Sequence, residues 1–228
     1  MEITGAIFDM DGTLLDSMHI WENVGADILR ALDITPRDDL REQLRPLSLM
    51  QAAEYLIAEY GVQCTVAQIV EIVNGNLEYQ YREVVLPKPG ATELLEKLRA
   101  KGIPMCVATA TARHLALAAL TRTGLLPYFK GVFTCAEVGK GKDSPAIFLR
   151  ALDCLGTEKK TTLVFEDALF AIETAKKAGF PVVAIYDASA AAQQEEIRAL
   201  SDLYARDYEC MADMLLLGEE TARSSKEI

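Results

Sequence analysis

The stretch Ala6-Ile7-Phe8-Asp9-Met10-Asp11-Gly12-Thr13 decides the fold, because an apolar run ends there on two carboxylates. Ala6, Ile7 and Phe8 read as a buried parallel strand entering a sheet. If the strand stops at Asp9, both carboxylates stand at its carboxyl end, where open α/β sheets place their ligands. Gly12 permits a tight turn, and nearby main-chain N–H groups can face an anion. Such a pair can hold a hard cation such as magnesium, or divide into nucleophile and general acid/base. In isolation the same residues also make an acidic turn after a strand.

Outward from this stretch the pattern is helical from Asp16 to about Val84. Met18, Trp21, Val24, Ile28 and Leu32 form one apolar face. Pro36 opens a second, short helix, Ser48 caps a third that ends at Gly61, and Thr65 caps a fourth that Asn74-Gly75-Asn76 should weaken or break. After Pro87-Lys88-Pro89-Gly90 strands and helices alternate. Strands are expected at 104–108, 131–134, 162–165 and 181–185, with a first at 3–8. Helices carry Leu94, Leu95 and Leu98, then 115–120, then Phe148 to Leu155, then 168–178. This alternation predicts an α/β fold: a doubly wound, parallel-sheet (Rossmann-like) core with an inserted four-helix cap domain. The core is placed at 1–15 and 86–228, and the cap at 16–85. The polar tail from Glu219 reads as frayed.

At 228 residues, half hydrophobic and a quarter charged, the chain can bury a substantial core. Its net charge of −11 argues against nucleic acid or an anionic membrane surface as partner. Five scattered cysteines (Cys64, Cys106, Cys135, Cys154, Cys210) form no C-x-x-C pair, which suits a reducing cytoplasm. No signal peptide is expected, and no apolar stretch reaches spanning length.

Three expected strands end in polar residues: Asp9 and Asp11, then Thr109, then Glu166 and Asp167. Parallel strands bring these ends to one edge, where four carboxylates would repel one another without a cation. Lys142, in the Gly139-Lys140-Gly141-Lys142 loop, can offset that charge, with Lys140 a rival.

This combination resembles the haloacid dehalogenase superfamily, and the helical insert resembles the cap of its β-phosphoglucomutase-like branch. The resemblance implies Asp9 as the nucleophile that takes a phosphoryl group and Asp11 as general acid and then base. It implies magnesium held by Asp9, the backbone carbonyl of Asp11, Asp167 and Glu166, the last directly or through water. It assigns the phosphate to the backbone at Met10 and Ala110, to Thr109 and to Lys142. Two features depart from the family pattern. The third motif reads Lys142-Asp143-Ser144-Pro145-Ala146, and Trp21 stands where many relatives carry a histidine. His19 and His114 are candidates to face the cleft, though exposed helix positions are the favoured reading for both; Trp21, Met18 and Met50 read as core.

Asp11 points to phosphate esters, since a halide leaving group needs no proton. Residues 16–84 hold no lysine to form the Schiff base of phosphonate-cleaving relatives. That segment carries twelve acidic residues against five arginines, Arg45 being the one most able to grip a second phosphate. The expected enzyme is a magnesium-dependent phosphatase acting on a small phosphorylated metabolite, a sugar or polyol phosphate, through an aspartyl-phosphate. A β-phosphoglucomutase-like sugar phosphomutase is the alternative. An acidic lid over the cleft should disfavour polyanions. A monomer with no nucleic-acid or membrane partner is expected.

Overall fold

Six short runs form one sheet; the four inner ones are buried at every residue, and parallel pairing with helices packed on each side covers them so fully. The computed structural model describes residues 2–44, 47–209 and 211. Its strands are β1 (Gly5–Phe8), β2 (Met105–Thr109), β3 (Gly131–Thr134), β4 (Thr162–Glu166), β5 (Val182–Ile185) and β6 (Leu203–Ala205), all parallel, in the order β3-β2-β1-β4-β5-β6. Strand alternation divides the core into two layers. Ala6, Phe8, Val107 and Phe165 face one side, where Leu94, Leu95, Leu98 and Leu115 cover them. Ile7, Cys106, Ala108 and Val164 face the other, under Ile147, Phe148, Ala151 and Ile172. The core is thus doubly wound as expected, with β6 an additional edge strand. Its Leu203-Tyr204-Ala205 is too short to show a period in sequence.

Between β1 and β2 lie the cap helices α1 (Met18–Trp21), α2 (Val24–Ala31), α3 (Leu40–Leu44), α4 (Leu49–Tyr60) and α5 (Val66–Tyr79), the last running into a π-turn at Gln80–Val84. Ser48 and Thr65 both close capping boxes, with Gln51 and Gln68, and Gly61 ends α4 in the left-handed region.

Four expectations for this region change. The one apolar face expected from Met18 to Leu32 falls on two helices, because Asn23 (φ −115°, ψ 0°) interrupts the ladder. The second helix opens at Leu40 and not at Pro36; the segment before it is tied to α4 instead, the Arg37 N–H donating to the Tyr60 hydroxyl at 3.1 Å. Asn74-Gly75-Asn76 leaves α5 whole, because Ile69, Val73 and Leu77 bury its inner face and packing overrides propensity. Met50 is 48% exposed and is not core. Arg45, Cys210 and the tail from Glu219 lie outside the described residues.

Two linkers join cap to sheet and pair with each other. The Asp16 N–H donates to the Leu86 carbonyl and the Lys88 N–H to the Leu14 carbonyl, each at 2.9 Å. Arg122, at the end of the helix Arg113–Arg122, donates to the carbonyls of Tyr81 and Val85 and so clamps the π-turn to the core.

Candidate active site

The carboxyl ends of β1, β2 and β4 bring Asp9, Thr109, Glu166 and Asp167 to one edge, as the strand endings predict. Asp9 follows β1 directly and is tied to β4 by its N–H, which donates to the Phe165 carbonyl at 2.9 Å. Gly12, at φ +83°, makes the turn behind it; a Cβ there would lie 2.6 Å from Asp167 Oδ2, so only glycine lets the loop and that carboxylate meet. Thr13 donates to Asp167 Oδ1 at 3.3 Å, and the buried Tyr208 hydroxyl holds the Thr13 carbonyl at 2.9 Å.

Asp9, Glu166 and Asp167 are all buried, and each places a carboxylate oxygen within 4.8 Å of the other two. Lys142 is buried with them, its Nζ bonded to Asp9 Oδ1 and, at 2.5 Å, to Glu166 Oε1. Lys140 is exposed, so of the two lysines it is Lys142 that reaches the cluster. Burial alone would strip the Lys142 charge, but the Asp9 and Glu166 carboxylates outweigh it and hold the ammonium well above its ordinary range. Burial pushes Asp9 up to about 7, opposed by Lys142 and reinforced by Glu166 and Asp11. Burial, then Glu166 and Asp9, raises Asp167 in the same way. One ammonium therefore does not neutralise three carboxylates. An all-oxygen donor set with residual negative charge is what a hard divalent cation requires, so the residues fit magnesium. Both oxygens of Glu166 are already engaged, Oε1 by Lys142 and Oε2 by the N–H groups of Asp167 and Ala168 at 3.1 and 3.2 Å.

Asp11 stands apart from this cluster. Its Oδ1 accepts from Ser17 Oγ and Tyr81 Oη, and its Oδ2 from Thr111 Oγ1, all at 2.6 Å, with Thr109 Oγ1 further off at 3.4 Å. Any share of Asp11 in holding a cation therefore falls to its backbone. Ser17, Thr111 and Tyr81 were not singled out in the sequence. Thr111 lies two residues beyond Thr109 and was within reach of a motif reading, whereas Tyr81 is 70 positions from Asp11 and carries no local signal. Trp21, expected as core, lines the cleft and donates its indole N–H to Tyr81 Oη at 2.7 Å. Burial and the neighbouring Asp11 hold the Tyr81 hydroxyl well above its ordinary value, so it stays a donor. The linker residue Lys88 pairs with buried Asp187 at 2.8 Å.

A cavity of about 660 Å³ runs from Asp9, Asp11 and Lys142 up into the cap, past Ala110, Met18 and Trp21. The Met10 side chain is buried in the core, which leaves only its backbone for a ligand. His19 and His114 are exposed and do not line the cavity. The acidic lid is also corrected. Of the cap's acidic residues only Glu22 and Asp38 line the cavity, alongside Arg30, Arg37 and Arg41; the rest lie elsewhere on the cap. Each of those arginines is paired with a carboxylate: Arg30 with Asp27 at 2.9 Å, Arg37 with Glu59 at 3.1 Å and Arg41 with Glu22 at 3.0 Å.

The family model of haloacid dehalogenase-like hydrolases matches residues 3–179. The chain is 27% identical over 173 residues to a phosphorylated carbohydrates phosphatase of Thermotoga maritima, covering 76% of this chain and 80% of that one. It is 32% identical over 199 residues to (DL)-glycerol-3-phosphatase 1, mitochondrial, of Arabidopsis thaliana, covering 81% of this chain and 64% of that one. In fold it is similar to a putative beta-phosphoglucomutase from Thermotoga maritima (TM-score 0.66, 24% identity, 94% and 98% of the two chains). With the parallel sheet, the inserted helices and the acidic edge all present, the chain belongs to the haloacid dehalogenase-like hydrolase family.

Proposed function

We propose that the chain is a magnesium-dependent phosphatase that hydrolyses a small phosphomonoester, a sugar or polyol phosphate, through an aspartyl-phosphate on Asp9. The observation that carries this reading is the contrast between its two carboxylates. Asp9 is buried against Lys142 and two further acids, while Asp11 is held apart by three hydroxyl donors. Carboxylates in divergent surroundings divide into separate chemical roles.

In the proposed reaction an Asp9 oxygen attacks phosphorus and the P–O bond to the leaving group breaks. Lys142 and the backbone N–H groups at Met10 and Ala110 offset the charge on the equatorial oxygens, and Thr109 Oγ1 donates to one of them. Asp11 gives its proton to the departing ester oxygen. Water then attacks the aspartyl-phosphate, Asp11 takes a proton from it, and phosphate leaves with Asp9 regenerated. Magnesium would be held by Asp9, Asp167 and the Asp11 carbonyl, with Glu166 acting through water, and when bound supplies further neutralisation of the phosphoryl oxygens.

Two of the relatives are named as phosphatases of phosphorylated carbohydrates and of glycerol 3-phosphate, which supports a sugar or polyol leaving group. Among the described residues the cavity arginines Arg30, Arg37 and Arg41 are each already paired with a carboxylate, which supports the hydrolase over the mutase. The free cysteines among the described residues suit the cytoplasm, and no helix there is long and apolar enough to cross a membrane. The test is phosphate release from a panel of phosphorylated metabolites, with magnesium and with excess chelator. Asp9→Asn should abolish release while the circular dichroism spectrum is kept. Wild-type release by Asp9→Asn rules out the covalent route, and undiminished release in chelator rules out the metal.

A further inference from the structure

Asp11 is gripped from both linkers of the cap, and one of those grips has a fixed direction. An indole N–H only donates. The Trp21 N–H therefore places its hydrogen on Tyr81 Oη at 2.7 Å, and the single phenolic hydrogen of Tyr81 must go elsewhere. At 2.6 Å, Asp11 Oδ1 is its nearest acceptor; Thr111 Oγ1 is at 3.3 Å and itself donates to Asp11 Oδ2. The relay thus runs Trp21 to Tyr81 to Asp11. The Tyr81 ring is fully buried, and its backbone carbonyl is held by Arg122 from the core. A phenol fixed at both ends has little freedom to swing, whereas Ser17 and Thr111 are short rotors.

We infer that Tyr81, backed by Trp21, is the positioning residue of Asp11, pinning Oδ1 as a standing acceptor so that Oδ2 is the oxygen that exchanges the proton with the leaving group. Ser17 donates to the same Oδ1 and reinforces the choice. When Oδ2 carries the proton toward the leaving group, Thr111 can go on donating to its remaining lone pair. Trp21 also lines the cavity, so the side chain at the head of the relay borders the space that the leaving group fills. The inference rests on the acid/base reading of Asp11.

Orientation of a general acid matters only where the departing oxygen needs a proton. An alkyl oxygen does, and a nitrophenolate leaves without one. The experiment compares kcat/KM of the magnesium-loaded enzyme for glycerol 3-phosphate and for 4-nitrophenyl phosphate. Tyr81→Phe should lower the first by about tenfold or more and the second by less than about twofold, a share of the ~10²–10⁴-fold worth of a placed acid. Trp21→Phe should show the same selectivity to a smaller extent, and it carries the test if Tyr81→Phe fails to fold. In an Asp11→Asn background, Tyr81→Phe should add no further loss on glycerol 3-phosphate, because the two act as a unit. Equal losses on both esters, no loss on either, or additive losses overturn the inference. Wild-type kcat/KM for glycerol 3-phosphate in Asp11→Asn alone would overturn the acid/base reading instead.

Discussion

Lys142 is the one cation that touches the buried carboxylates Asp9 and Glu166 among the described residues, and its removal separates two effects. Lys142→Met keeps the length of the side chain and leaves both acids unpaired in the interior. Breaking a buried pair in this way costs about 3–5 kcal/mol. The metal-free protein should therefore lose melting temperature steeply and magnesium should restore part of it, while turnover should stay low because the phosphate loses its ammonium as well. Thermal melts in chelator and in magnesium, beside turnover, check this. A variant as stable as wild type in chelator would mean the three carboxylates do not depend on the lysine.

Among the elements, the turn after β1 has the least room for change. Gly12 sits at φ +83°, and a methyl group there would lie 2.6 Å from Asp167 Oδ2 and 2.8 Å from Met18 Cγ. Gly12→Ala should cost roughly 1–2 kcal/mol from the left-handed backbone alone. The displacement of Asp167 should then appear as weaker magnesium binding, read as a raised magnesium concentration for half-maximal activity. Gly61→Ala is the control: φ is +66° there too, but nothing lies within 4 Å, so stability should fall without any change in magnesium dependence. Equal magnesium dependence in Gly12→Ala and wild type would show that the turn does not place Asp167.

At the scale of the molecule, the acidic edge links stability to pH and to metal. Asp9 and Asp167 have folded-state pKa values above their unfolded ones, Asp9 going from 3.8 to about 7, with burial the first cause for both. The folded state then binds the extra protons. For Asp9 that contribution is fully present below pH 3.8 and is lost as pH rises through about 7; Asp167 acts in the same direction. In chelator, the melting temperature should be held down on the alkaline side of that window, and Asp9→Asn should flatten the slope. Magnesium should reverse the trend, because it binds the ionised form and stabilises the folded state by mass action. A chelated protein whose stability rises through the same window, with no effect of Asp9→Asn, would contradict this account.

Sequence by itself determined the parallel sheet, the inserted helices and the residues at the strand ends. Those properties are local: apolar runs of strand length, caps at Ser48 and Thr65, and polar residues directly after Phe8, Ala108 and Phe165. Tertiary structure alone decided how those residues divide. It put Lys142 and not Lys140 beside Asp9, kept Asp11 out of the carboxylate cluster, and turned most of the cap's acids away from the cavity. Tyr81 was not legible, because its role depends on the turn at Gln80–Val84, the clamp from Arg122 and an indole at Trp21, segments that meet only when cap and core are assembled. Charge counting failed for the cap for the same physical reason. Net charge is a sum over residues, whereas the field in a cleft depends on which side chains face it and which are paired.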